Sequence, residues 1–346
     1  MGKLLKRTLT GIVSAAMITS SLAVPMAANA YTGNYSNTAG SWKFDFGSSE
    51  NVADGYIGVS ADSAYSKDAG YGFLGIGADG YRAELLTGET NTASGRVDSF
   101  GMVKGQEIVL ANGGSETPAT AEDDNVGVTK AQMPIRFSMD VENGGYYHVK
   151  VTLTGADSSK DATVSLFSEK RHLMLMDKTI PAGESITYEY NADVESLYYQ
   201  KSSPEGNYVD STLNVVVAGE NAAIASLEVT KAETNGRTLW VLGDSTVCDQ
   251  GAYTPYFPLQ NYAGVGQALT KYTPENIAVS NQGEGGLNAG DALHFNNVVS
   301  NVKEGDYIFV EYGHNHKDDG PTGYLACLPK YYDLAKQKNA KLIVVG

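Results

Sequence analysis

At 346 residues the chain is long enough for about two domains, and 25 basic against 40 acidic residues give it a formal net charge of −15. A surface of that sign repels phosphate backbones, and no basic stripe offsets it, so nucleic acid is not an expected partner. Two cysteines, Cys248 and Cys327, do not make a disulfide-framed scaffold, and spacing alone leaves open whether they pair.

Residues 1–30 read as a secretory signal peptide. Lys3, Lys6 and Arg7 precede an apolar stretch, and Ala28-Asn29-Ala30 fits a small-residue cleavage site. Thr8, Thr10, Ser14, Thr19, Ser20, Ser21 and Pro25 interrupt the apolar run. It is therefore too short and too polar to span a bilayer, and the expected location is extracellular, with no membrane partner. Removing three basic residues leaves 22 basic against 40 acidic, or −18.

Residues 31–235 read as an antiparallel β-sandwich accessory domain. Short alternating or β-rich runs fall at 42–46, 147–153, 162–167, 185–190, 212–218 and 225–229. Turn signals separate them, among them Asn143-Gly144-Gly145, Pro181-Ala182-Gly183 and Gly219-Glu220-Asn221. The stretch 70–125 is rich in Gly, Asp, Thr and Ser and reads as loop. Its acidic run Glu122-Asp123-Asp124 could offer oxygen ligands to calcium, but no spacing specifies a coordination shell, and a solvated loop is the plainer reading. The tyrosine doublets 146–147, 198–199 and 331–332 could stack on sugar rings, although packing accounts for such residues equally well.

A polar connector near 231–236 leads into a segment of different texture. From 236 to 346, strand candidates at 238–242, 276–281, 306–312 and 341–345 alternate with helix candidates at 262–271, 291–302 and 323–339. That order predicts a parallel sheet with helices on both faces, and such sheets carry their functional loops at the carboxyl ends of the strands.

Three loops stand at those ends. The first is Gly243-Asp244-Ser245-Thr246, where Ser245 reads either as a nucleophile facing the crevice or as a helix N-cap. The second runs from Asn281 through Gly283, Gly285 and Gly286 to Gly290, and the third is Gly313-His314-Asn315-His316. A hydroxyl, bare backbone N–H groups and a primary amide, converging on one crevice, match acyl transfer with an oxyanion to stabilise.

The combination GDST, then N-x-x-x-G-G, then GDYIFVEYGHN resembles the SGNH (GDSL-type) hydrolases, and among them the rhamnogalacturonan acetylesterases. Gly264-Val265-Gly266-Gln267 is similar to a segment on the first helix of that family, and parts of 44–73 and 137–184 resemble a galactose-binding-like sandwich that precedes some of these esterases. The resemblance implies a flavodoxin-like hydrolase domain with Ser245 as nucleophile and with Gly286 and Asn315 as oxyanion donors. It implies an acetylated plant cell-wall polysaccharide as substrate, and no cofactor. A non-catalytic glycan-binding protein and a secreted lipase or arylesterase are the rival readings. Two positions depart from the pattern: His316 stands where the family has Asp, and Leu287-Asn288 where it has Arg-Ser. The family's general base belongs to an Asp-x-x-His pair beyond the fourth strand, so here it is expected beyond Gly346, with the hydrolase domain incomplete. Of the histidines present, His316 beside Asp318 and Asp319 reads as a solvated loop residue or a substitute base. His314 reads as a hydrogen-bonding member of its loop and His294 as a plain helix-face residue, while His172 would need carboxylate partners from elsewhere.

Overall fold

The computed structural model describes residues 40–47, 52–60, 63–73, 83–85, 135–142, 144–169, 172–200, 206–232, 236–249, 263–274 and 276–346. The signal-peptide reading, most of the stretch 70–125 and its acidic run lie outside the described residues.

The first part is a sandwich of two five-stranded sheets. One carries, in spatial order, β2 (Ile57–Val59), β1 (Ser41–Phe46), β13 (Ala222–Lys231), β6 (Gly145–Gly155) and β9 (Ser185–Val194). The other carries β3 (Tyr71–Phe73), β5 (Ile135–Asp140), β12 (Thr212–Ala218), β7 (Ala162–Ser168) and β8 (His172–Ile180). Every pairing is antiparallel except the parallel one between β1 and β2. Strand alternation explains the core: Trp42, Phe44 and Phe46 of β1 and Val149, Val151 and Leu153 of β6 all point inward. Phe137 sits at its centre, with ring centroids of Phe44, Phe46 and Phe73 at 5.0, 5.1 and 5.8 Å. A small third sheet joins β10 (Leu197–Tyr199), β11 (Gly206–Asp210) and β4 (Ala83–Leu85).

The second part is a parallel sheet of β14 (Arg237–Gly243), β15 (Ile277–Asn281), β16 (Tyr307–Glu311) and β17 (Lys341–Val345). Its spatial order is β15-β14-β16-β17, the first four places of the doubly wound order 2-1-3-4-5. One face buries Trp240, Leu242, Ile308 and Val310 under α2 (Leu293–Asn301), α3 (Gly320–Cys327) and α4 (Pro329–Lys338). The opposite face packs Leu239, Val241 and Val279 with Leu269 of α1 (Val265–Leu269). The helix expected over 323–339 is in fact two, α3 and α4, broken at Leu328 because Pro329 starts the second. Sequence reading missed β5 and β8: the first mixes Arg136 and Asp140 into a short run, and the second is built on methionines of low β-propensity.

The two parts meet along a polar seam. Thr238 Oγ1 donates to Asp193 Oδ2 at 2.6 Å, and Tyr146 Oη donates to the Asn276 carbonyl at 3.1 Å. Asp306, fully buried, accepts from Thr238 N–H, Trp240 Nε1–H and Lys303 N–H, each at 2.9 Å. The carboxyls nearby are held above their ordinary range. Burial raises Asp193, which the Thr238 hydroxyl and Lys303 oppose, while burial and the charge of Asp193 push Glu195 up to about 8. Raised carboxyl pKa values mean stability that is fully present below the ordinary carboxylate range and is lost as pH rises through the folded values. Urea unfolding should therefore need less denaturant at pH 8 than at pH 5, and Glu195→Gln should flatten that decline; an equally steep profile in the variant would show that Glu195 is not its source.

Candidate functional site

The sheet order fixes where the site lies. β14 has β15 on one side and β16 on the other, so the chain winds in opposite senses from it, and the crevice opens where their carboxyl ends part. The loops after these three strands contain Ser245, Gly286 and Asn315.

After Gly243 the chain makes a turn rather than entering a helix. Asp244, fully buried, does the capping: its Oδ1 accepts the Thr246 N–H at 2.9 Å, and its carbonyl accepts the N–H groups of Val247 and Cys248. Ser245 is thus not an N-cap among the described residues and lies exposed on the crest of the turn. Thr246 Oγ1 reaches both Asp244 Oδ1 and the Glu311 carboxylate, tying the turn to the end of β16.

The glycine loop is stitched to the same place. Glu284 N–H donates to the Gly243 carbonyl at 3.0 Å and Gln282 N–H to the Val241 carbonyl at 2.8 Å. Gly286 is exposed with φ +83°, a conformation that side chains disfavour, and its N–H is engaged by no other group among the described residues. Next to it Leu287 is buried in the apolar core, so this departure from the family pattern anchors the loop. Asn315 Nδ2 donates to the Leu287 carbonyl at 2.8 Å, which joins the third loop to the second and leaves the amide a second N–H. The bonds thus hold all three loops together at one end of the sheet.

Asn281 is a member that sequence reading passed over. Its Nδ2 donates to Val247 O and to Asp249 Oδ1, both at 2.7 Å, and its Oδ1 accepts the Gly283 N–H at 3.2 Å. Helix α1 comes in close beside it: a Cβ on Gly266 would strike Val247 O and the Asn281 amide, which explains the Gly-Val-Gly-Gln segment.

The histidines correct several expectations. His316 is buried rather than solvated, with Nδ1 3.0 Å from Asp319 Oδ1 and Nε2 accepting the Ala289 N–H at 3.0 Å. The lone pair a base would use is therefore occupied, and His316 is a loop brace. His294 is no plain helix-face residue. It is fully buried, with Nε2 3.2 Å from Glu284 Oε2 and Nδ1 3.0 Å from Asp291 Oδ2. Burial acts to lower its pKa, but the Asp291 and Glu284 carboxylates outweigh it and hold the ring above its ordinary value. His172 finds its carboxylate in Asp249, at 3.1 Å. His148 pairs with Asn191 and Glu189, and His314 is exposed and makes no side-chain hydrogen bond among the described residues. The two cysteines are free thiols, and among the described residues no cluster suited to a metal occurs.

A family model described as "Beta-agarase/YXIM esterase-like, galactose-binding domain-like" matches residues 42–78, at the start of the sandwich. The chain is 26% identical over 290 residues to "Uncharacterized esterase YxiM" of Bacillus subtilis (strain 168), which covers 79% of this chain and 59% of that protein. It thus spans less than two thirds of the length of the curated relative it matches. Among solved structures, the crystal structure of the Bacillus subtilis YXIM protein matches at 24% identity and a TM-score of 0.31, covering 88% of this chain and 73% of that one. A family two carbohydrate esterase from Clostridium thermocellum matches at 8% identity and a TM-score of 0.23, covering 62% and 71%.

The ion cluster under the glycine loop makes a direct prediction. His294→Ala leaves the buried Glu284 and Asp291 carboxyls without the ring between them, and should cost about 3–5 kcal/mol of stability, read as a lower urea midpoint at pH 7. A midpoint within experimental error of the parent would mean that the cluster is neutral.

Proposed function

We propose that this chain belongs to a secreted serine carbohydrate esterase that removes acetyl groups from a plant cell-wall polysaccharide, with rhamnogalacturonan as the leading substrate. The observation that carries the reading is the stitched set of three strand-end loops. In support, Ser245 is exposed on a turn at the same sheet end as the loops that carry Gly286 and Asn315, and Asn315 donates to the carbonyl of Leu287, next to Gly286. Similarity to a relative named as an esterase supports the same chemistry.

In this mechanism Ser245 Oγ attacks the acetyl carbonyl carbon while a histidine base takes its proton. Negative charge gathers on the carbonyl oxygen, where the N–H groups of Ser245 and Gly286 and the Asn315 amide hold it. The tetrahedral intermediate collapses, the carbon–oxygen bond to the sugar breaks, and the departing hydroxyl takes the proton back from the base. Water, activated by the same base, then releases acetate from Ser245. His294 stands between Glu284 and Asp291, and His316 has Asp319 at Nδ1 and the Ala289 N–H at Nε2, so neither is assigned that role.

Measured on the full-length protein with acetylated rhamnogalacturonan, Ser245→Ala should abolish acetate release and leave the unfolding transition unchanged. Release that survives the substitution would exclude the acyl-enzyme. Asn315→Ala should lower kcat by about two to three orders of magnitude with little change in KM, because an oxyanion donor acts mainly in the transition state. An effect on KM alone would move Asn315 out of the oxyanion hole and into substrate binding.

A further inference from the structure

A sugar-binding accessory domain needs only a tether to its enzyme, yet this sandwich reaches into the site at two points. The first is His172, at the start of β8. Its Nε2 lies 3.2 and 3.1 Å from the two oxygens of Asp249, and both side chains are buried. Asp249 follows the nucleophile turn by four residues and shares the Asn281 amide with Val247 O. A displacement of Asp249 is thus transmitted to the turn that carries Ser245 and, through Asn281 Oδ1, to Gly283 of the glycine loop.

The second point lies on the other side of that loop. The backbone N–H of Gln200, just after β10, donates to Glu284 Oε2 at 2.7 Å. The carbonyl of Ser196, just before β10, accepts from Gln282 Nε2 at 3.2 Å and from Asn297 Nδ2 at 2.9 Å. Glu284 and Gln282 are themselves bonded to the end of β14, one through Gly243 O and the other through Val241 O. The glycine loop is therefore gripped at Asn281–Gly283 and again at Gln282–Glu284, and each grip ends on the sandwich.

We propose that the β-sandwich is a structural wall of the esterase site, setting the geometry of the nucleophile turn through His172 on Asp249 and that of the oxyanion loop through Gln200 on Glu284. His172 is a positioning residue: it touches neither substrate nor Ser245 and acts through Asp249. The proposal rests on the esterase reading for its catalytic consequence, but its structural content stands apart from it. A sandwich that served only to bind polysaccharide would alter KM on the polymer and leave a small ester untouched, whereas a misplaced nucleophile turn slows every substrate.

The test compares the full-length parent, His172→Leu and His172→Gln, with Ser245→Ala as a control. Glutamine keeps an N–H donor near the position of Nε2; leucine keeps bulk without a donor. Hydrolysis of 4-nitrophenyl acetate should show kcat lowered about tenfold to a hundredfold in His172→Leu with KM little changed, and largely restored in His172→Gln. Hydrogen exchange should quicken in His172→Leu at the amides of 244–249 and 281–286, while those of β14 and β16 keep the parent rate. If parent hydrolysis does not depend on Ser245, the esterase reading fails, and the exchange measurement alone decides the positioning role. Unchanged exchange in the two loops, or a kcat on the small ester equal to the parent's, would overturn the proposal.

Discussion

The carboxamide of Asn281 is the joint on which the site depends. It gives one hydrogen to the nucleophile turn at Val247 O and the other to Asp249, and takes one from the glycine loop at Gly283. An aspartate there could only accept, and would set its charge against the carbonyl and carboxylate it now serves. The parallel register pairs Val241 with Asn281, so the two loops leave the sheet one step apart, within reach of a single short side chain. Ser245 needs no strained backbone of its own to be presented: Asp244 closes the turn beneath it and Asn281 fixes the turn's far end.

Much of this was legible in the sequence because period and turn chemistry carry it. The four strands of the parallel sheet lie within two residues of the alternation reading, and 212–218 and 341–345 coincide with it. Those runs are bounded by glycine, asparagine or lysine-rich turns, which end a strand sharply. What stayed hidden has local causes. In β8 the run His-Leu-Met-Leu-Met has neither β-branching nor a polar partner at each alternate place, and its outer residues from Met176 onward are exposed. The helix break at Leu328 needed only the rule that proline begins a helix, since Pro329 opens the second.

The histidines show why a site is harder to read than a fold. Asp291-Ala-Leu-His294 has the spacing of the acid–base pair that such a hydrolase requires, and the two side chains do meet, at 3.0 Å. Local spacing determines that contact: Asp291 stands just before α2, and its Oδ2 also accepts the His294 N–H at 3.1 Å. It does not determine what stands on the other side of the ring. Here that is the Glu284 carboxylate, fully buried and 3.2 Å from Nε2, so the ring has a carboxyl group on either side. In the same way a solvated reading of His316 followed from its acidic neighbours, and only the Ala289 amide on Nε2 reveals a brace. The decisive partner was in each case distant in sequence or a backbone group.

Backbone groups also explain why part of the union of sandwich and sheet is hard to read from the sequence. Thr270 donates to the Leu173 carbonyl at 2.6 Å, Gln282 and Asn297 donate to the Ser196 carbonyl, and Glu284 accepts the Gln200 N–H. In these four bonds the side chains belong to the α/β part and the main-chain groups to the first part, whereas His172, Asp193 and Tyr146 cross the seam with their own side chains. A seam of this kind contributes little net stability, because each bond replaces one to water. Its value is directional. An apolar interface tolerates sliding by a fraction of a side chain, whereas a set of hydrogen bonds between fixed backbone atoms and short amides holds one register. In the mechanism proposed above, donors from three loops act on a single oxygen, and a wall that holds register serves that better than one that merely adds burial.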